Sequence, residues 1–245
     1  QITNMFALFR DKTTFNSNIS NWDVSKVTTM NTMFRECNAF NQNIGGWNTG
    51  NVEDMRYMFY GAEAFNQPIG TWNVSKVENM FRMFDSALIF NQNINAWDVS
   101  NVNSMSFMFD AADAFNQPLN SWNVSSVIDM RFMFYQASVF NQDISSWNVS
   151  GVTYMGNMFY NAYAFNQDLS SWDVSNVTYM QRMFNATSLS TTNYDAILNG
   201  WSALTVQPNV PFGTATIPYS AAAAAAHNTL TSAPNSWIIT DGGQV

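Results

Sequence analysis

The sequence is short of charge, cysteine and histidine, and each shortage closes off a class of function. Charged residues make up 11% of the 245, against roughly 25% in ordinary domains. Nine basic residues face seventeen acidic ones, a net charge of -8, which argues against a nucleic-acid partner or an anionic membrane. Cys37 is the single cysteine, so no disulfide can form within the chain. His227 is the single histidine and lies far from Cys37 in sequence, which leaves no nucleophile triad. No P-loop, dinucleotide fingerprint or metal-ligand spacing is found. No apolar run reaches the roughly 18 residues that would suggest a membrane-spanning helix.

What the chain does have is one 25-residue phrase, repeated without insertion or deletion. Met5, Met30, Met55, Met80, Met105, Met130, Met155 and Met180 keep this step, as do the tryptophans from Trp22 to Trp172. The phrase reads V-x-x-M-x-x-M-F-x-x-A-x-x-F-N-Q-x-I-x-x-W-[ND]-V-S-x. A fixed period of this size marks a solenoid, in which each unit buries its apolar face on the next copy.

Residues 77–101 show the slots of one coil. Val77, Met80, Met83, Phe84 and Ala87 recur at threes and fours, which predicts a helix of about ten residues. Ser75 before Glu78 reads as its capping box. Phe90 and Asn91 follow, and a fixed Asn suggests an amide ladder serving turns that lack regular partners. Ile94, Trp97 and Val99 then predict a short parallel strand, starting no earlier than the slot of Pro68 and Pro118. Trp and Met in register with Val and Ile read as core. Cys37, in a slot that other coils fill with Ala, reads as a small core residue.

After Phe184 the phrase fails. Asn193–Leu204 reads as an amphipathic helix, Tyr219–Leu230 as an alanine-rich one, and Trp237–Thr240 as a final strand; together they predict a cap over the last coil. At the other end Gln1 falls inside a repeat, with Ile2, Met5 and Phe9 in core slots. The missing polar cap there leads to the expectation of a fragment or a mature form, with any targeting signal upstream.

The phrases FNQPIGTWNVSKVENMFRMFD (65–85) and FNQDISSWNVSGVTYMGNMFY (140–160) resemble the BspA-like bacterial surface proteins built from the 25-residue repeat called DUF285. The ending YDAILNGWSAL…YSAAAAAAHNTL…WIITDGG resembles the segment that closes such arrays. The resemblance implies a place among the leucine-rich repeats, a bacterial cell-surface or secreted location, and a role in adhesion or partner binding. It supplies no catalytic residues. The expected fold is an α/β solenoid, a leucine-rich-repeat-like right-handed stack of about eight coils over residues 1–187, closed by a cap over 188–245.

Two sets of residues are candidates for a site. The column Asp23, Asn48, Asn73, Asp98, Asn123, Asn148 and Asp173, with Asp143 and Asp168, could offer oxygens to Ca²⁺; the competing reading is a turn or helix cap. No other cofactor is expected. The second set comprises the variable slots around the Met-Phe pair: Tyr57, Tyr60, Arg82, Phe107, Arg131, Phe132, Tyr135 and Tyr160, with Arg56 and Phe81 in variable slots beside them. Exposed aromatics and arginines are the composition of binding patches, although such rings can also seal neighbouring coils. The expected function is non-enzymatic recognition of a protein or glycan on another cell or surface. The alternative is a spacer or filament subunit that self-associates through its exposed first coil.

Overall fold

The computed structural model describes residues 2–245, so Gln1 lies outside it. Within the repeats the backbone sends alternate N–H groups out of each coil into the next. The amides of Met80, Arg82, Phe84 and Ser86 donate to the carbonyls of Ser104, Ser106, Met108 and Asp110 at 3.0, 3.1, 2.9 and 2.7 Å. The intervening amides turn back on their own coil, Met83 to Met80 and Ala87 to Phe84, both at 3.1 Å. The same pattern recurs along the array, and the chain is a repeat solenoid. Isolated parallel bridges link Asn4, Thr29, Asp54, Asn79, Ser104, Asp129, Tyr154 and Tyr179 in one line down the stack.

This corrects the helix and strand expected in each coil: among the described residues the repeats hold neither. A helix would keep every amide for the carbonyl four residues back, and here half of them are used between coils. Two residues per coil also take positive φ, such as Arg82 at 55° and Ser86 at 59°, which no right-handed helix admits. A run of tight turns puts the residues at threes and fours inside just as a helix would. The expected capping box is absent too, since the Ser75 amide donates to Asn73 Oδ1 at 3.0 Å and the Glu78 amide to the Glu53 carbonyl. The α/β description therefore holds only for the C-terminal segment.

Three side-chain ladders fill the coils. Phe84 stacks on Phe90 within its coil at 4.1 Å between ring centres, and on Phe59 and Phe109 across coils at 5.5 and 5.7 Å. Trp72 and Trp97 lie parallel at 6.5 Å, and each indole N–H donates to the Ile carbonyl of the preceding coil, Ile44 and Ile69 respectively. The Asn ladder does what an unpaired turn requires. Asn91 Oδ1 accepts from the Asn116 backbone at 3.1 Å and from Gln117 Nε2 at 3.0 Å, and the arrangement repeats from Asn16 to Asn166. Cys37 is buried and donates to the Phe9 carbonyl; burial pushes its thiol up to about 11, a structural rather than a reactive cysteine. Ile2, expected in the core, is instead exposed.

The cap imitates the coil that would come next. Helix α1 (Thr191–Ser202) is N-capped by Ser190 and buries Tyr194, Ile197, Leu198 and Trp201. Trp201 continues the indole ladder by donating to the Leu169 carbonyl at 3.1 Å. Asn193 Nδ2 takes the place of the glutamine amide on Asn166 Oδ1 at 2.9 Å. Strand β1 (Pro211–Gly213), which the sequence did not announce, receives the last coil's amides: Met180 donates to Pro211 and Phe184 to Gly213, both at 3.1 Å. The alanine-rich stretch forms a 3-10 turn, Ala221–Ala223, and then α2 (Ala224–Thr231). Strand β2 (Ile238–Thr240) pairs in parallel with β1. His227 stacks on Tyr219 and sits 3.3 Å from Asp241, which also accepts from the Tyr194 hydroxyl.

Two outcomes follow from these ladders. Asn91→Ala leaves a half-buried amide and a glutamine without their acceptor and should cost about 1–3 kcal/mol in urea melts; no change would mean that water serves the turn equally well. Removing residues 188–245 uncovers Met180, Met183 and Phe184, all fully buried, together with the donors that β1 satisfies. That truncation should aggregate where the full chain stays monodisperse in light scattering.

Candidate functional site

The coil geometry decides which side chains face outward. At the first positive-φ position of each coil stand Ala7, Thr32, Tyr57, Arg82, Phe107, Phe132, Asn157 and Arg182, with φ between 55° and 59°. Three residues later, opposite the buried Met-Phe pair, stand Arg35, Tyr60, Asp85, Asp110, Tyr135 and Tyr160. These two rows run side by side along the stack.

The structure joins seven of the eight expected site residues into one stripe. Tyr57 meets Tyr60 edge-on at 6.0 Å, and the Arg82 guanidinium lies 6.0 Å from the Tyr60 ring centre and 4.0 Å over Phe107. Phe107 stacks on Phe132 at 4.3 Å, Phe132 leans on Tyr135 at 5.5 Å, and Tyr135 stacks on Tyr160 at 5.2 Å. All seven are half-buried, so the rings both support one another and meet solvent. Arg131 falls outside the stripe. Its guanidinium holds Asp129 through two hydrogen bonds and covers Tyr154 at 5.0 Å.

The stripe gains one further ring from the variable slot beside Arg82, and two members that the sequence reading missed. Phe81 packs edge-to-face between Tyr57 at 5.1 Å and Phe107 at 5.8 Å. Asp85 is buried, paired with Arg82 and bonded to the Ser86 hydroxyl. Asp110, one coil on, makes no side-chain hydrogen bond or ion pair among the described residues. The slot three residues after the αL position was the available signal, because Tyr60, Tyr135 and Tyr160 occupy it in other coils.

The Asp/Asn column does local work. Oδ1 of Asp23 accepts from the Ser25 amide at 3.0 Å, and Asp98, Asn123 and Asp173 repeat the turn with their own second-next residues. Asp143 and Asp168 do the same with Ser145 and Ser170 at 2.9 Å. These are Asx turns, the competing reading of the column.

Desolvation, and next the neighbouring Asp85 carboxylate, push Asp110 up to about 7, while Arg82 opposes them. A carboxyl whose folded value lies above its unfolded one weakens the fold as pH rises between the two, from about 4 to about 7, and by a constant amount beyond. Asp110→Asn should therefore melt higher than the parent at pH 8, with the advantage gone by pH 4. Equal melting temperatures at both pH values would mean that solvent already screens this carboxylate.

Known proteins place the chain as follows. A family model described as "Mycoplasma protein of unknown function, DUF285" matches residues 1–97 and again 82–201. No curated protein and no solved structure matches it. With the repeat phrase carried through both matched stretches and the coils of one build, the chain belongs to the DUF285 family.

Proposed function

We propose that this chain is a non-enzymatic binding module of a bacterial cell surface or extracellular space, a right-handed, leucine-rich-repeat-like stack of about eight coils that adheres to a protein or glycan through the aromatic-arginine stripe. The observation that carries the reading is the kind of residue at the αL position. Positive φ costs a non-glycine residue roughly 1–2 kcal/mol, and bulky residues are rarer there than Asn or Gly. The array nonetheless places Tyr57, Arg82, Phe107 and Phe132 there in succession. Asn157 fills the same slot, so the backbone itself does not ask for a ring. Side chains held at such positions against local preference mark function. Rows of equivalent positions also let one ligand touch several weak subsites and gain avidity.

End-to-end assembly is the second reading, favoured by Ile2, Phe6 and Leu8, which are 56%, 57% and 46% exposed on the outer side of the first described coil. Replacing all three by Ser should leave binding through the stripe intact and would abolish assembly seen by sedimentation.

The stripe is tested with Phe107→Asn and Phe132→Asn together. Relief at the two αL sites offsets the lost ring pair, worth about 0.5–1.5 kcal/mol, so the melting temperature should move by only a few degrees. Binding on combined glycan and protein arrays should vanish. A collapse of the melting temperature would show instead that the rings hold the coils together.

A further inference from the structure

The exposed parts of the stripe discriminate between the two ligand classes left open above. A sugar ring binds aromatics by laying its C–H face on a flat ring face. Here Phe107 and Tyr60 have both faces used, and Phe132, Tyr135 and Tyr160 each have one face against a neighbouring ring. Phe107 carries Phe132 at 4.3 Å and the Arg82 guanidinium at 4.0 Å. Tyr60 lies between Arg35 at 5.1 Å and Arg82 at 6.0 Å, and Tyr135 and Tyr160 stack on each other. What remains outward is mostly ring edge, hydroxyl and charge, the surface that apolar and polar side chains of another polypeptide pack against.

The charges of the second row set a register. Arg56, Arg82 and Arg131 are each paired, with Asp54, Asp85 and Asp129. Arg35 is not: it stacks on Tyr57 and Tyr60, makes no ion pair among the described residues, and its Nε is buried without a hydrogen-bond partner. At the other side of Tyr60 and Asp85 stands Asp110, an acid with no partner of its own. The two occupy the same row three coils apart, about 14 Å at the spacing of parallel chains, which is about four residues of extended polypeptide.

We propose that the stripe binds an extended polypeptide lying along the coil stack, with an acidic side chain at Arg35 and a basic one about four residues away at Asp110. This rests on the reading of the stripe as the binding face. The apolar residues between the two charges would pack on the edges of Tyr57, Phe81 and Phe107. Orientation follows from the charges, because a peptide laid the other way sets like charges together.

The test uses the full chain and a displayed library of random dodecapeptides. Selected peptides should carry an acidic and a basic residue three to five apart in one preferred order. On the charge-swapped chain, Arg35→Glu with Asp110→Lys, the preferred order should reverse. Arg35→Gln or Asp110→Asn alone should weaken a selected peptide about tenfold, and Phe107→Asn with Phe132→Asn should abolish its binding. Peptides without the charge pair, or an order indifferent to the swap, would overturn the inference. So would a library that yields nothing while an oligosaccharide array yields binding lost with the two phenylalanines; that result would keep the binding face and make its ligand a glycan. Binding that survives loss of both phenylalanines, for either ligand class, would remove the face itself.

Discussion

The molecule depends on one arrangement of backbone hydrogen bonds: alternate amides of each coil, such as those of Met80, Arg82, Phe84 and Ser86, donate to the next coil and their neighbours turn inward. That division leaves too few bonds within a coil for a helix and too few consecutive partners between coils for a strand. It forces positive φ twice per coil, where the chain must swing back to present the next amide along the axis. It also sorts the side chains. Met, Phe and Ala of the same segment go inward, and the αL residue and the one three further on go out. Core and surface rows are thus two consequences of one bonding pattern.

The ladder is polar, and the cap is built for one end of it. Met180 and Phe184 bring donors to the end of the array, and β1 supplies the carbonyls of Pro211 and Gly213. Trp201 and Asn193 reach the same acceptors as a next coil's Trp and Gln, although a helix carries them instead of a turn. A helix can substitute because the ladders need only a side-chain tip at the right height. What the last coil demands is a set of acceptors and ring contacts, and more than one backbone meets it.

This explains which elements the sequence made legible. Buried ladders repeat by residue type, so Phe90, Asn91, Trp97 and Met80 could be assigned inward or to turns without coordinates. Helix α1 was legible because its bonds are local and its face is periodic. The repeat segment was misread as helical because consecutive tight turns bury residues at the same threes and fours. Glycine would have betrayed the second αL position, but only Gly61 among its occupants is a glycine; Glu36, Ser86 and Gln136 hide it. Strand β1 stayed hidden because its neighbours, the segment at Met180 on one side and β2 on the other, each lie some thirty residues away and nothing local marks the pairing. Of the stripe, the rings were visible as variable aromatics in fixed slots. The Asp85–Asp110 step was not, since a carboxylate's meaning depends on which charges its neighbours carry.

The separation of rows gives the scaffold a particular freedom. Each inward slot is bound to its copies above and below, so a change at Phe90 or Trp97 disturbs three coils. An outward slot touches its row neighbours mainly through side chains, and Asn157, Arg82 and Phe132 all fit one backbone conformation. The array can therefore carry charge at one coil and a ring at the next with no alteration of the fold beneath. Binding character is written in the order of residues along a row, and because the coils are stacked at a constant rise, that order is also a ruler. A partner that is itself a chain of regular rise can be matched against it at more than one point, which a set of loops of unequal length would not allow.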